Sequence, residues 1–437
     1  MVLLLNAPKS EIREAARSAK QKEGIEIEEL NEETMSKLLG VKGIRIKRYG
    51  IEKREKEEIL HLYSEAEHEI AICPRCGKIS TEVHEEEERC VRHLEIWGKR
   101  TYIHFESRRF QCEGCQKPFT EELAWLEKRR RETIAYEEHI YKSCQGSSQA
   151  KVAQEERLHA ETVKGIFQRW AKRAVNKPQA TILRKLGVDE LSLHKGHRQF
   201  VLVLSDLERH CVIAVLSELS KEAFTQWLME KTTAERKAIR VVAMDMWGPY
   251  RGVVQACLAQ AEIVADRFHV YKHLTEAINQ LRRALQGKAN KADYEVLKGT
   301  RWLLVKNRAD LNPAEEAKLQ IVLAAFPTLR TAYLLKERFR TICDKLDDRS
   351  QAERFLQAWL WEAQASHLEP LLKFVKTLRN WWSEFLNYFN EGVTSAIVEG
   401  LNNGIRSIIR RAFGFHSFQN FRLQVLVELG DLPLPLF

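Results

Sequence analysis

Four cysteines and three acids carry the residue types best suited to chemistry in this 437-residue chain. "AICPRCGKIS" holds Cys73 and Cys76, and "RRFQCEGCQKPF" holds Cys112 and Cys115. In each pair two thiolates separated by two residues reach one ion from a tight turn, with Gly77 and Gly114 supplying turn freedom. Four such sulfurs complete a closed tetrahedral Zn²⁺ site, one that shapes the protein and does no catalysis. The gap between the pairs exceeds the common ribbon spacing, so an element of hairpin size must fill it, and the alternating "RTYIHFESRRFQC" suits that. A redox role would need a βαβ context that neither pair has. His84, Cys90 and His93 lie inside the gap and read as packing residues before substitute ligands.

The acids begin with "AIRVVAMDMWGPY" (Ala238 to Tyr250), a β-branched run that climbs to Asp245 and breaks at Gly248-Pro249. It predicts a buried strand with a carboxylate at its C-terminal tip. A lone acid there is more often the cap of the next helix, so its meaning depends on whether other acids converge on it. From Leu186 the pattern reads as a strand "LGVDELSL" holding Asp189, a strand "RQFVLVLSD", a turn, and a strand "HCVIAVLSE". A helix, the Asp245 strand, a second helix, the strand "AEIVAD" and the helix "RFHVYKHLTEAINQLRRAL" follow. This β-β-β-α-β-α-β-α order is that of a ribonuclease H-like fold, in which the first and fourth strands are neighbours, so Asp189 faces Asp245. A third acid comes from "TSAIVEGLNNGIRSIIRRAFGF", where Glu399, Asn403, Arg406 and Arg410 share one helical face. Asp189, Asp245 and Glu399 supply the hard oxygens that hold two Mg²⁺ (or Mn²⁺) ions about 4 Å apart for in-line phosphoryl transfer.

The elements that must position these groups fall into an α+β, multidomain order. Residues 1–70 hold a charged helix (Ser10 to Gln21) and strands around "IRIKRYGI" and "KEEILHLYSEA"; 71–120 form the zinc-binding ribbon. Residues 121–180 form a helix-turn-helix region, its second helix starting near Ala160 with Val163, Ile166, Phe167 and Trp170 inward. That helix offers Thr162, Lys164, Arg169, Lys172 and Arg173 to DNA phosphates and base edges. An ordinary helical hairpin remains the alternative, because the turn lacks its frequent Gly. Residues 181–284 are the first part of the ribonuclease H-like core, 285–390 an all-helical insertion, and 391–437 the closing catalytic helix and C-terminus. Trp302, Trp359, Trp361, Trp381 and Trp382 fall in the insertion and read as core.

Composition agrees with a globular chain and a polyanionic partner. It is 44% hydrophobic and 30% charged, with 70 Lys plus Arg against 61 acids, a formal charge of +9. No apolar run approaches the length of about 18 residues that spans a bilayer, and no secretion signal opens the sequence. A cytoplasmic location and no membrane partner are expected. Nine cysteines, an odd number, argue against a disulfide framework.

Read in order, "CPRCG…CEGC", "VDELSLHKGH", "MDMWGPY", "ADRFHVYKHLTEAINQLRR" and "IVEGLNNGIRSIIRRAFGFHSFQNFR" resemble the ISL-three family of bacterial insertion-sequence DDE transposases along nearly the whole chain. The resemblance implies Asp189, Asp245 and Glu399 as the catalytic, metal-holding triad. It also implies Asp266 and His269 of "DRFH" as auxiliary residues, a helix cap being the alternative for Asp266. It implies binding of the element's terminal inverted repeats, cleavage, and joining of 3′-hydroxyls to target DNA by a homodimer in a bacterial, nucleoid-associated setting. Ser395-Ala396 departs from the family's usual Asn followed by a small residue and leaves the triad intact. Two alternatives remain: a catalytically silent DNA-binding regulator derived from a transposase, and a nuclease of the same fold without strand transfer.

Overall fold

The chain divides into two compact units, Met1–Cys144 and Gln145–Phe437. The computed structural model describes residues 36–55, 57–177, 181–193, 200–391, 395–415 and 417–432; the charged helix expected over Ser10 to Gln21 lies outside the described residues.

The first unit is built on strands: β1 (Ile44–Arg54), β2 (Glu57–Ala66), β3 (Ala71–Ile72), β4 (Ile79–Ser80), β5 (Val83–Ile96), β6 (Lys99–Gln111) and β7 (Pro118–Thr120), then helix α1 (Ile134–Ser143). The main sheet runs β1-β2-β6-β5 with β7 on β6, while β3 pairs only with β4. β5 and β6 are the hairpin required between the cysteine pairs, turning at Trp97 and Gly98, both at positive φ, the two-residue turn whose twist matches paired strands. Alternation sorts the faces. Leu60, Leu62, Val91, Ile103 and Phe105 pack with Trp125 and Leu126, and His61, Cys90, Tyr102 and His104, one residue out of phase, point to the opposite face. At the end of β5, buried His93 meets the hydroxyl of Thr133 through Nδ1 at 2.9 Å, and Thr133 caps α1 by accepting from the amide of Tyr136.

The second unit opens with α2 (Gln149–Glu156), capped by Ser148, and α3 (Ala160–Asn176). Val163, Ile166, Phe167 and Trp170 are buried as their spacing predicts. The turn does without Gly because Arg157 takes the left-handed position at φ 52, a strain of about 1 kcal/mol that the packed helix pair offsets. A five-stranded sheet follows: β8 (Lys185–Ser192), β9 (Phe200–Asp206), β10 (Cys211–Leu216), β11 (Val241–Met244) and β12 (Glu262–Ala265), ordered β10-β9-β8-β11-β12. β8, β9 and β10 form an antiparallel meander; β11 lies parallel between β8 and β12. The first and fourth strands of this sheet are therefore neighbours, as expected. Gly187 on β8 leaves room for its neighbours: a Cβ there would stand 2.4 Å from Ser205 Oγ and 2.8 Å from a methyl carbon of Leu207, so one of them would have to shift.

The sheet is covered on both faces. Even-numbered Leu186, Val188, Val242 and Met244 enter one large core with α4 (Lys221–Met229), α6 (Gly248–Cys257) and α7 (Arg267–Lys288), the short helix α5 (Thr233–Ala238) lying between the first two in sequence. The expected helical insertion joins this same core. α8 (Lys291–Leu297), α9 (Arg301–Val305), α10 (Pro313–Ala325), α11 (Pro327–Lys345), α12 (Arg349–Ala365), α13 (Glu369–Asn380), α14 (Trp382–Leu386) and α15 (Tyr388–Glu391) bury Leu319, Tyr333, Phe339, Trp359 and Phe385 in it. Odd-numbered Leu191, Val201 and Val203 face the other way, against α16 (Ser395–Arg411) and α17 (Phe418–Leu429). The tryptophan expectation divides: Trp359 and Trp381 are core, Trp382 is half-buried, but Trp302 and Trp361 are 68% and 71% exposed.

Burial pushes His93 down to about 4. The folded state thus favours the neutral ring, and the stability this confers is full above the unfolded value near 6.5 and drains away as pH falls toward 4. Acidification from pH 7 to 5 should cost about 2 kcal/mol through this residue. Urea unfolding at both pH values should show that slope in the parent and lose about this much of it in His93→Gln.

Candidate functional site

Two sites emerge, one in each unit. In the first, matched knuckles hold the cysteines. Gly77 N donates to Cys73 O at 2.9 Å, and Gln116 N donates to Cys112 O at 2.9 Å; β3–β4 brackets the first turn and β6–β7 the second. The left-handed residue is Gly77 (φ 72) in the first and Gln116 (φ 51) in the second. The expected turn role of Gly114 therefore belongs to Gln116. Among the described residues, Cys73, Cys76, Cys112 and Cys115 are the one group of three or more metal-ligand types whose donor atoms all lie within 4.8 Å of one another. Cys73 and Cys115 sulfurs are 3.8 Å apart and Cys76 and Cys112 sulfurs 3.4 Å, against about 3.8 Å for thiolates around a tetrahedral zinc with 2.3 Å bonds. The amide of Cys115 draws the Cys112 thiol down to about 6. The amide of Lys78 pulls Cys76 the same way, but the Cys112 sulfur, burial and Cys73 carry it up to about 11. Four sulfurs this close cannot all ionise without a cation among them, and the donor set fits structural zinc. His84, Cys90 and His93 take no part in this group.

In the second unit the parallel ladders decide which acids meet. Met244 pairs with Val188 on one side and with Ala265 on the other. The next positions are Asp189, Asp245 and Asp266, so three aspartates stand in one register row on three neighbouring parallel strands, just past the ends of β11 and β12 and midway along β8. Asp245 does not cap the helix after it: its carboxylate accepts from Met246 N, while α6 has Trp247 at its cap with no side-chain bond. Asp266 takes the cap considered for it, and its second oxygen faces His269. One oxygen caps α7 by accepting from Phe268 N at 2.8 Å, and the other lies 3.3 Å from His269 Nδ1. His269 Nε2 lies 3.8 Å from Asp245.

The electrostatics follow from this crowding. Burial alone would depress His269, but Asp266, Asp245 and Asp189 together raise it. A charge pair near 4 Å is worth about 4 kcal/mol at an effective dielectric of 20, before further solvent screening, so several acids outweigh partial burial of one imidazole. Asp189 is raised by burial, with Asp266 adding to it, against lowering by His269 and by the side-chain amide of Asn402. Glu190 is raised by burial and by Asp245 and Asp189. A cleft of about 340 Å³ at the start of α7 is lined by Arg267, Phe268, Tyr271, Arg340, Asp344 and Tyr388.

α16 lies on the face to which odd-numbered β8 and β11 residues point, and Asn402 of α16 donates to Asp189. Asn402 is the functional neighbour that sequence reading missed; it singled out Asn403, which is exposed and accepts from Arg406 at 3.0 Å. Leu401, Ile405 and Ile408 at helical spacing mark the buried stripe, and that phase is the signal that selects Asn402. Glu399, Arg406 and Arg410 are exposed, and the described residues show no bond from Glu399 to the aspartate row. On α3, Lys164 is half-buried and paired with Glu161 at 3.1 Å, Arg169 is half-buried, and Lys172 and Arg173 are exposed.

Comparison with known proteins agrees with this layout. A family model described as transposase, of the ISL3 type, matches residues 186–425. A model for the zinc-finger of transposases IS204/IS1001/IS1096/IS1165 matches 70–115, and one for the helix-turn-helix domain of transposase family ISL3 matches 121–171. The chain is 30% identical over 384 residues to the transposase for insertion sequence element IS1001 of Bordetella parapertussis, covering 86% of this chain and 94% of that one. It is 25% identical over 364 residues to the transposase for IS1557 of Mycobacterium tuberculosis, covering 77% and 80%. No helix of the described residues is long and apolar enough to cross a membrane.

Cys112→Ser should lower zinc content from one equivalent toward zero and unfold the two knuckles, as metal binding here is folding free energy. Metal analysis with Co²⁺ substitution checks it: loss of the thiolate-to-cobalt absorption is expected, and full retention would remove Cys112 from the ligand set.

Proposed function

Because the chain belongs to the ISL3 family of transposases, we propose that it binds the terminal inverted repeats of its own insertion sequence, cleaves there, and joins the freed 3′-hydroxyls to target DNA. The observation that carries this reading is the register row of Asp189, Asp245 and Asp266 on three adjacent parallel strands. The strand order around that row is the one a ribonuclease H-like core requires.

Asp189, Asp245 and Glu399 are the proposed triad. Glu399 stands one turn before Asn402 on α16, and the bond from Asn402 to Asp189 fastens that helix to β8. The donor set is all hard oxygen, and the raised Asp189 and Glu190 mark a crowding of acids that a divalent cation relieves. Bound there, Mg²⁺ or Mn²⁺ supplies Lewis-acid activation of the attacking oxygen and stabilisation of the leaving one. Asp266 orients His269, whose ring the surrounding acids bias toward its charged form, beside the aspartates where a DNA phosphate enters. Asn403, Arg406 and Arg410 line the exposed face of α16 and hold the backbone of the strand being cut. Lys172 and Arg173, with Lys164 and Arg169, engage the terminal repeats from α3. Two ends must be cut together, so a homodimer is the working assembly, in the bacterial cytoplasm on the nucleoid.

Asp245→Asn and Asp189→Asn should each lower cleavage of labelled element ends by about three orders of magnitude, the scale of removing a metal-held charge from the reaction, with end binding retained. Glu399→Gln should do the same. Specific binding without cleavage by the folded parent would favour the regulator, and cleavage without joining would favour the nuclease. Lys172→Ala with Arg173→Ala should weaken binding across sequences and reduce the salt slope of log K by about 2, measured by anisotropy from 50 to 300 mM salt.

A further inference from the structure

The face of the first sheet that points away from its core carries a group of metal-ligand side chains that zinc binding does not use. Cys90 of β5 pairs directly with His104 of β6, and His61 of β2 lies diagonally across from His104, its own partner being Tyr102. Period-two alternation puts all three on one face of three adjacent strands. His61 Nδ1 stands 2.9 Å from His104 Nε2, and Cys90 Sγ stands 3.6 Å from the same nitrogen. His61 Nε2 is 3.3 Å from a carboxylate oxygen of Glu52 on β1.

The tautomer follows from these contacts. Donation from Nε2 to Glu52 leaves Nδ1 of His61 as a lone pair, aimed at His104. A carboxylate holding the far nitrogen of an imidazole is the outer-shell arrangement that fixes metal-binding histidines and raises their basicity. The rings are also held in place: Tyr63 stacks on His104 at 4.5 Å and Tyr102 on His61 at 5.8 Å.

We propose that His61, His104 and Cys90 form a second, solvent-facing site for a late first-row transition ion, with Glu52 orienting His61. The ion takes the place of the proton that otherwise bridges the two imidazoles. At a tetrahedral ion with bonds near 2.1 Å to nitrogen and 2.3 Å to sulfur, about 3.6 Å is the expected nitrogen–sulfur separation and about 3.4 Å the nitrogen–nitrogen one, so the two imidazoles, now 2.9 Å apart, open by about 0.5 Å to admit it. As they stand the three donors do not all lie within 4.8 Å of one another, so the sulfur of Cys90, which is exposed, must swing toward His61 to complete the set. Two imidazoles and one thiolate select Zn²⁺, Ni²⁺ or Cu²⁺ over the Mg²⁺ that suits carboxylates. Three protein donors leave a position open, in contrast to the closed four-cysteine site.

The test uses the full chain with its cysteine knuckles loaded with one equivalent of zinc. Ni²⁺ is titrated in by calorimetry, while absorbance follows sulfur-to-nickel charge transfer and a dye follows zinc release. One further equivalent of Ni²⁺ is expected, with a charge-transfer band and no zinc released. His104→Gln should lose that equivalent. Cys90→Ser should lose the band and bind at least about tenfold more weakly, and Glu52→Gln should weaken binding by about tenfold. Far-UV spectra and retained knuckle zinc certify the fold; should His104→Gln lose its fold, loss of the band in Cys90→Ser carries the decision. Absence of a second equivalent, release of zinc as nickel binds, or unchanged nickel binding in Cys90→Ser and His104→Gln would each overturn the site and leave a histidine–histidine hydrogen bond.

Discussion

Parallel strand register sets three carboxylates side by side where β11 and β12 end beside β8, and much of the second unit is organised around tolerating them. Asp189, Asp245 and Asp266 occupy one row because β8, β11 and β12 pair without a bulge up to Val188, Met244 and Ala265. Left to themselves, like charges at this spacing repel by several kcal/mol near a protein surface. The fold offsets part of that with His269, placed between Asp245 and Asp266 at the first turn of α7, and with the amide of Asn402. The rest appears as the raised Asp189 and Glu190. A site strained in this direction is prepared for a cation, which is the physical content of the proposed chemistry.

The two faces of that sheet have different duties. One is continuous with the helical layer from α8 to α15, so the insertion is part of the main core and buttresses β11 and β12 from behind. Asn387, just before α15, donates to Ile263 O of β12 at 2.9 Å, and Trp359 donates to Leu335 O at 2.7 Å. These buried polar groups are satisfied and fix the layer in one arrangement. The other face receives α16 and α17. Because α16 carries its apolar stripe and its exposed basic row on opposite sides, it binds the sheet with one and presents Arg406 and Arg410 with the other.

The first unit gains its stability differently. Its two knuckles have short ladders, β3–β4 and β6–β7, and little apolar area, with Ala71, Phe110 and Phe119 beside the cysteines. A metal centre substitutes for the core such a small module cannot build. The adjoining sheet has one packed face and one face rich in His, Tyr and Glu, which is where the second ion site is proposed.

Local chemistry determined much of this protein from sequence. The CxxC pairs, the helix phase of α3, and the strand order with Asp189 and Asp245 on neighbouring strands were legible because each depends on spacing within a few residues or on element order. The hairpin between the cysteine pairs was legible for the same reason. Tertiary structure decided the remainder. That Asp266 stands in the same row as Asp245 depends on inter-strand register, which no local pattern encodes. That Asn402, one residue or about 100° from Asn403, lies on the buried side is marked by the stripe of Leu401, Ile405 and Ile408, but that it meets Asp189 there depends on how α16 is seated against the sheet. The exposure of Trp302 and Trp361 and the meeting of His61 with His104, 43 residues apart, depend on which strands and helices become neighbours. Contacts between distant segments are set by the packing of whole faces, and a single chain read in order carries that information only in sum.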